Sequence, residues 1–150
     1  NIPCVSVSTL ESMAYNFLST DCIVCAVMDA RCSQVYNALF EIKNGVVTRL
    51  CDDRALSLDD LKNELLSVDG RIIIAGDGTD ITCKYIGNEI KNAESAPVNL
   101  KYQRASSTAL VAFEMINNGQ TVSAQKLMPV YLRLPQAQRE LNKKLGGRTK

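Results

Sequence analysis

Cys22-Ile23-Val24-Cys25-Ala26-Val27-Met28, then Gln34-Val35-Tyr36-Asn37-Ala38-Leu39-Phe40-Glu41-Ile42, then Val46-Val47-Thr48-Arg49-Leu50, read as three strands in succession. The first is a short, uninterrupted apolar run, the pattern of a buried strand. The second alternates Val35, Asn37, Leu39 and Glu41 against Tyr36, Ala38, Phe40 and Ile42, so one face is more apolar than the other. Between the second and third lies Lys43-Asn44-Gly45, a hairpin turn, because Asn and Gly tolerate positive φ. The expected local structure is an antiparallel meander with one face toward a core.

Upstream, Pro3 to Val7 is a short alternating apolar segment, and Ser8 with Glu11 forms a capping box at the start of a helix. Leu10, Met13, Ala14 and Phe17 make its apolar face, and Ser19-Thr20-Asp21 ends it. Downstream, Ser57 opens a helix with Leu58, Leu61, Leu65 and Leu66 inward and with Asp59 and Asp60 in the first turn, where the helix dipole favours them. Val68-Asp69-Gly70 breaks it. Arg71-Ile72-Ile73-Ile74-Ala75 is a strand of the kind buried on both faces, followed by Gly76-Asp77-Gly78 and a helix over 79–91 with Ile81, Tyr85, Ile86 and Ile90 inward. Residues 92–101 form a loop or a short strand. A further helix is capped by Ser106, Ser107 or Thr108, carries Ala109, Ala112, Phe113 and Ile116 inward, and stops at Gly119.

The last segment, Leu127 to Arg133, is extended, because Pro129 and Pro135 bias Met128 and Leu134 away from the α region. Pro135 suits the first turn of a closing helix whose stripe is Ala137, Leu141 and Leu145, and Gly146-Gly147 stops it. So narrow a stripe docks on something else rather than forming a core. Three antiparallel strands followed by helix, strand and helix is the order of a ribonuclease-H-like unit, the lobe repeated twice in the actin and sugar-kinase (ASKHA) superfamily. The fold expected is therefore α/β, a mixed sheet with an antiparallel meander and flanking helices.

Composition narrows the function classes. At 150 residues and 46% hydrophobic, the chain can bury a core. Its apolar runs fall well short of the roughly 20 residues of a membrane-spanning helix, and no basic, then apolar leader pattern opens it; a cytoplasmic protein without membrane contact is expected. The chain starts at Asn1 inside an apolar pattern, and we read it as a piece of a longer protein. Cys22 and Cys25 form a CxxC, but residues three apart on a strand point to opposite faces and do not converge on a metal. Cys4, Cys32, Cys51 and Cys83 are scattered and there is no histidine, so neither a metal site nor a disulfide framework is expected. The missing histidine also removes Ser-His and Cys-His nucleophile activation, leaving only a Ser–Lys dyad that no spacing selects. A net charge of +1 conceals a division: residues 1–100 hold 8 Lys/Arg against 14 Asp/Glu, and residues 101–150 hold 9 against 2. The basic last third reads as a solvated tail or as an RNA-facing surface that includes Arg139, Lys143 and Lys144.

Four stretches together resemble one family. Ile2-Pro3-Cys4-Val5-Ser6-Val7-Ser8-Thr9-Leu10-Glu11 is similar to the strand-to-helix entry of the TsaB (YeaZ) proteins. Asp29-Ala30-Arg31 with Gln34-Val35-Tyr36-Asn37-Ala38 resembles that family's meander, and Gly76-Asp77-Gly78 stands where the family has a glycine-rich turn. Pro129-Val130-Tyr131-Leu132-Arg133 with Gln136-Ala137 looks like its closing motif. The resemblance implies a non-catalytic accessory subunit, without cofactor, of the machinery that makes threonylcarbamoyladenosine beside the tRNA anticodon. Its implied partners, in the full-length protein, are a TsaD-like catalytic paralogue and a TsaE-like ATPase, with tRNA met indirectly. The family's first lobe, with its Asp-Thr-Ser strand, is not in this sequence. The expected organisation is an inter-lobe strand and helix over 1–20, a ribonuclease-H-like second lobe over 21–125, and a closing segment with basic tail over 126–150.

Candidate sites follow from these readings. Asp29 and Arg31 end the first strand on one side of it and could meet a ligand or each other. Gly76-Asp77-Gly78 could offer backbone N–H groups to a phosphate at a helix start, although Asp77 would set a negative charge beside it. Tyr131 and Arg133 share one side of the extended segment; Tyr131 is expected to pack, Arg133 to bond backbone carbonyls or acidic groups. Leu10, Met13 and Phe17, with Ala137, Leu141 and Leu145, are the expected interface, covered by a first lobe or by a homodimer. The competing functions are a nucleotide-binding enzyme of the same superfamily, a glycoprotease-like peptidase, and a direct tRNA-binding module.

Overall fold

The structure is a computed structural model that describes residues 2–133. Its centre is a six-stranded mixed sheet in the order β4 (Val46–Arg49), β3 (Gln34–Lys43), β2 (Cys22–Asp29), β6 (Ile72–Ala75), β7 (Ala93–Ser95), with β5 (Arg54–Ser57) also pairing with β3. Strands β2 (Cys22–Asp29), β3 (Gln34–Lys43) and β4 (Val46–Arg49) form the expected meander. Asn44 at φ 52° and Gly45 at φ 76° make its tight turn, both central residues adopting the left-handed region that a two-residue hairpin needs. Strand β6 (Ile72–Ala75) lies parallel to β2, and β7 (Ala93–Ser95) lies parallel to β6. This strand order and the mixed orientation are those of the ribonuclease-H-like lobe.

The meander does not have one solvated face, as its alternation suggested. Val35 and Leu39 enter one core with Cys25, Val27, Ile72 and Ile74, while Ala38, Phe40 and Ile42 enter another with Val24, Ala26 and Ile73. Asn37, read as a polar-face residue, is wholly buried. Its amide donates to the Ala26 carbonyl at 3.0 Å and its Oδ1 accepts from Arg54 Nη2 at 3.1 Å, which satisfies it. Arg54 belongs to β5 (Arg54–Ser57), a strand with no sequence signal of its own that extends the β3 edge. Cys22 and Cys25 fall in the two different cores, as strand geometry requires.

Helices cover both faces. Helix α2 (Leu58–Leu65) buries Leu58, Leu61 and Leu65, with Ser57 Oγ accepting from the Asp60 N–H; Leu66, expected inward, is 54% exposed because it is the C-cap. Helix α3 (Thr79–Ile86) ends at Gly87, earlier than the expected Lys91. Its buried side chains are Thr79, Thr82 and Ile86, and Tyr85, expected inward, is exposed. Ile90 is buried beyond the helix end.

The opposite face is covered by α1 (Thr9–Ala14), which continues as a 3-10 turn over Tyr15–Phe17. Leu10, Met13 and Phe17 are 3%, 0% and 2% exposed within this chain's own core. They are not an open interface, because the sheet face made by Val24, Ala26, Ala38 and Phe40 takes up the stripe. The capping box is half formed: Ser8 Oγ accepts from the Glu11 N–H at 3.2 Å, while the Glu11 carboxylate turns away to Arg49 at 2.8 Å.

Helix α4 (Ala105–Asn117) lies on α1, and here the sequence reading chose the wrong face. Its cap is Arg104, and the buried positions are Ser107 and Val111, while Phe113 and Ile116 are exposed. The α1–α4 seam is polar: Ser107 Oγ donates to Asn16 Oδ1 at 2.6 Å, Ser12 and Thr108 hydroxyls meet at 2.9 Å, and Tyr15 donates to Glu114 at 2.5 Å. Burial, with help from Glu114, raises the Tyr15 phenol far above its ordinary range. Beyond α4, β8 (Val122–Ser123) pairs antiparallel with β1 (Pro3–Cys4).

The tightest point is Gly76, where a Cβ would lie 1.9 Å from the Val27 carbonyl oxygen at a φ of +119°. We expect Gly76→Ala to lose more than about 3 kcal/mol in urea unfolding, since steric overlap and left-handed strain act together. A loss under about 1 kcal/mol would show that β2 and the turn are not in contact.

Candidate functional site

The C-terminal ends of β2 and β6 lie side by side because the two strands are parallel, with Ile23 opposite Ile72 and Ala26 opposite Ala75. This register brings Asp29, at the end of β2, against the Gly76-Asp77-Gly78 turn after β6. The Asp29 N–H donates to Asp77 Oδ1 at 3.1 Å, and Gly78 N–H donates to the Val27 carbonyl at 3.2 Å. Asp29 Oδ1 accepts from the Arg31 N–H at 2.7 Å, and the two side chains pair at 3.6 Å with Arg31 86% exposed. An ion pair so exposed contributes about 0–1 kcal/mol. Arg31, Cys32 and Ser33 follow with three successive positive φ values, 64°, 55° and 55°. The turn is closed by the Ala30 N–H on the Gln34 carbonyl and the Gln34 N–H on the Arg31 carbonyl.

Five of the predicted contact residues, Asp29, Arg31, Gly76, Asp77 and Gly78, thus form one cluster. Arg133 joins it from the far end of the sequence, donating through Nη1 to the Ala30 carbonyl. Tyr131, expected to pack, is instead 83% exposed, as the strap over 129–133 presents it outward. Leu10, Met13 and Phe17 lie in the core, and Ala137, Leu141 and Leu145 lie outside the described residues, as do Arg139, Lys143 and Lys144 of the basic tail.

The glycine turn serves contact between elements. Gly76 admits the Val27 carbonyl, and a Cβ at Gly78 would stand 3.2 Å from the Asp29 nitrogen. Asp77 and Asp80 flank the start of α3, and Asp80 pairs with Lys101 at 2.6 Å. These two carboxylates occupy the positive end of the helix dipole, where a phosphate would have to sit.

Beside this cluster opens a cleft of about 490 Å³ between the Ser6–Leu10 entry segment and the strap over 129–133, floored by Met28, Tyr36 and Asp53. Sequence reasoning missed the polar group that reaches it through Ser8 and Asp53. Ser8 Oγ donates to Asp53 Oδ2 at 2.5 Å, and Arg49 reaches both Asp53 at 2.6 Å and Glu11 at 2.8 Å while stacking over Phe40. The available signals were the Ser8-x-x-Glu11 box and the Arg49 and Asp53 pair four residues apart. Ser8 already accepts from the Glu11 N–H and Asp53 is already shared with Arg49, so these groups join the α1 start to β4. Among the described residues, no three His, Cys, Asp or Glu side chains gather as a metal site, and no helix is long and apolar enough to cross a membrane.

Against known proteins, no family model matches this chain. A tRNA threonylcarbamoyladenosine biosynthesis protein TsaB from Bacillus subtilis (strain 168) is 27% identical over 139 residues, 92% of this chain and 59% of that protein. Both the motifs and this alignment support the TsaB (YeaZ) family. Among solved structures, YeaZ from Pseudomonas aeruginosa superposes with a TM-score of 0.66 at 20% identity, over 87% of this chain and 59% of the other. An uncharacterized Pseudomonas aeruginosa protein with similarity to peptidase YeaZ gives 0.65 at the same identity and coverage. At that identity the superpositions establish the fold, that of the YeaZ structures. The chain spans about three-fifths of the length of these TsaB and YeaZ relatives.

Two outcomes follow from the cluster. Asp77→Ala removes the acceptor for the Asp29 N–H and is expected to lose about 1 kcal/mol in chemical unfolding, with Asp77→Asn losing less. Calorimetric titration with ATP and magnesium is expected to give no micromolar binding; heats of that order would return the turn to the phosphate reading.

Proposed function

We propose that this chain acts as a non-catalytic accessory subunit in the formation of threonylcarbamoyladenosine next to the tRNA anticodon. The observation that carries the reading is the alignment with TsaB over 92% of the chain, on a fold of the YeaZ kind. The chemistry of the cluster supports it: glycines serve close packing, carboxylates sit at the helix start, and the Ser8–Asp53–Arg49 group joins elements together. In this reading residues 21–125 form a lobe, and residues 1–20 and 126–150 join it to the remainder of a longer body. The partners are a TsaD-like catalytic paralogue and a TsaE-like ATPase, with tRNA reached through them. Asp29, Arg31 and Arg133, with the turn over 76–78, are the contacts we assign to partner recognition, because Arg31, paired with Asp29 alone among the described residues, and Tyr131 are exposed beside that turn.

The test is reconstitution with the Bacillus subtilis catalytic paralogue and ATPase, replacing the part of TsaB that aligns with this chain by this chain and quantifying the modified nucleoside in tRNA by mass spectrometry. The two-lobed chimera is expected to co-elute with the paralogue and raise the modified nucleoside above the level without it, while the chain makes none by itself. Product formed by the chain alone overturns the accessory role; no association and no stimulation overturn the assignment to this pathway.

A further inference from the structure

We draw no further inference here: the strongest candidate, the cleft of about 490 Å³ between the Ser6–Leu10 entry segment and the strap over 129–133, floored by Met28, Tyr36 and Asp53, carries nothing, because the chain spans 59% of its TsaB relative and nothing in the structure shows whether a small ligand or the remainder of a longer body fills that space.

Discussion

Strand β2 is held on one side by eight antiparallel pairs with β3, from Cys22 opposite Ile42 to Asp29 opposite Val35, and on the other by the parallel ladder with β6. Both of its faces are covered, so Val24, Cys25, Ala26 and Val27 are all inaccessible to water. This double confinement decides what surrounds it. The end of β6 must turn directly beside β2, and only glycine admits the Val27 carbonyl at position 76. The Met13 sulfur of α1 would stand 3.2 Å from a Cβ at position 76, so strand, turn and helix meet there. No side chain fits at position 76 of this turn, whereas Asp77 stands exposed. The acidic groups at its mouth are then free to bond backbone, as Asp77 does with Asp29.

The order of elements was legible because it rests on local signals that few tertiary contacts override. Asn44-Gly45 demands a hairpin, Ser8 and Ser57 demand helix starts, and Ile72-Ile73-Ile74 demands a doubly covered strand. The gathering of Asp29 with the turn over 76–78 was less directly readable, since it depends on β6 lying parallel to β2. Faces were harder still. Asn37 looked like a solvated position, yet Arg54 of an unpredicted strand reaches it and lets it be buried. Such long-range satisfaction of a polar group leaves no periodic trace.

Helix α4 shows why apolar periodicity failed once. Inwardness was assigned to Phe113 and Ile116 because burying large apolar side chains is the main driving force of folding. The α1–α4 seam is instead built from hydroxyl and amide pairs, Ser12 with Thr108 and Asn16 with Ser107, each hydrogen-bonded and therefore buried at little cost. Once those polar groups are inside, the apolar half can only face outward. Leu10, Met13 and Phe17 of α1 did the opposite, because the sheet beneath them offers Val24, Ala26 and Phe40 and no polar partners.

The two helices on this face therefore have different loyalties. Helix α1 belongs to the sheet, since removing its stripe would expose the core that β2 and β3 share. Helix α4 belongs to α1 by hydrogen bonds and leaves its apolar side unclaimed within the described chain. A domain whose stability needed that side would have rotated the helix by half a turn, placing Phe113 and Ile116 on α1. The polar seam fixes the rotation, because shifting α4 would break the Ser107–Asn16, Thr108–Ser12 and Glu114–Tyr15 bonds together.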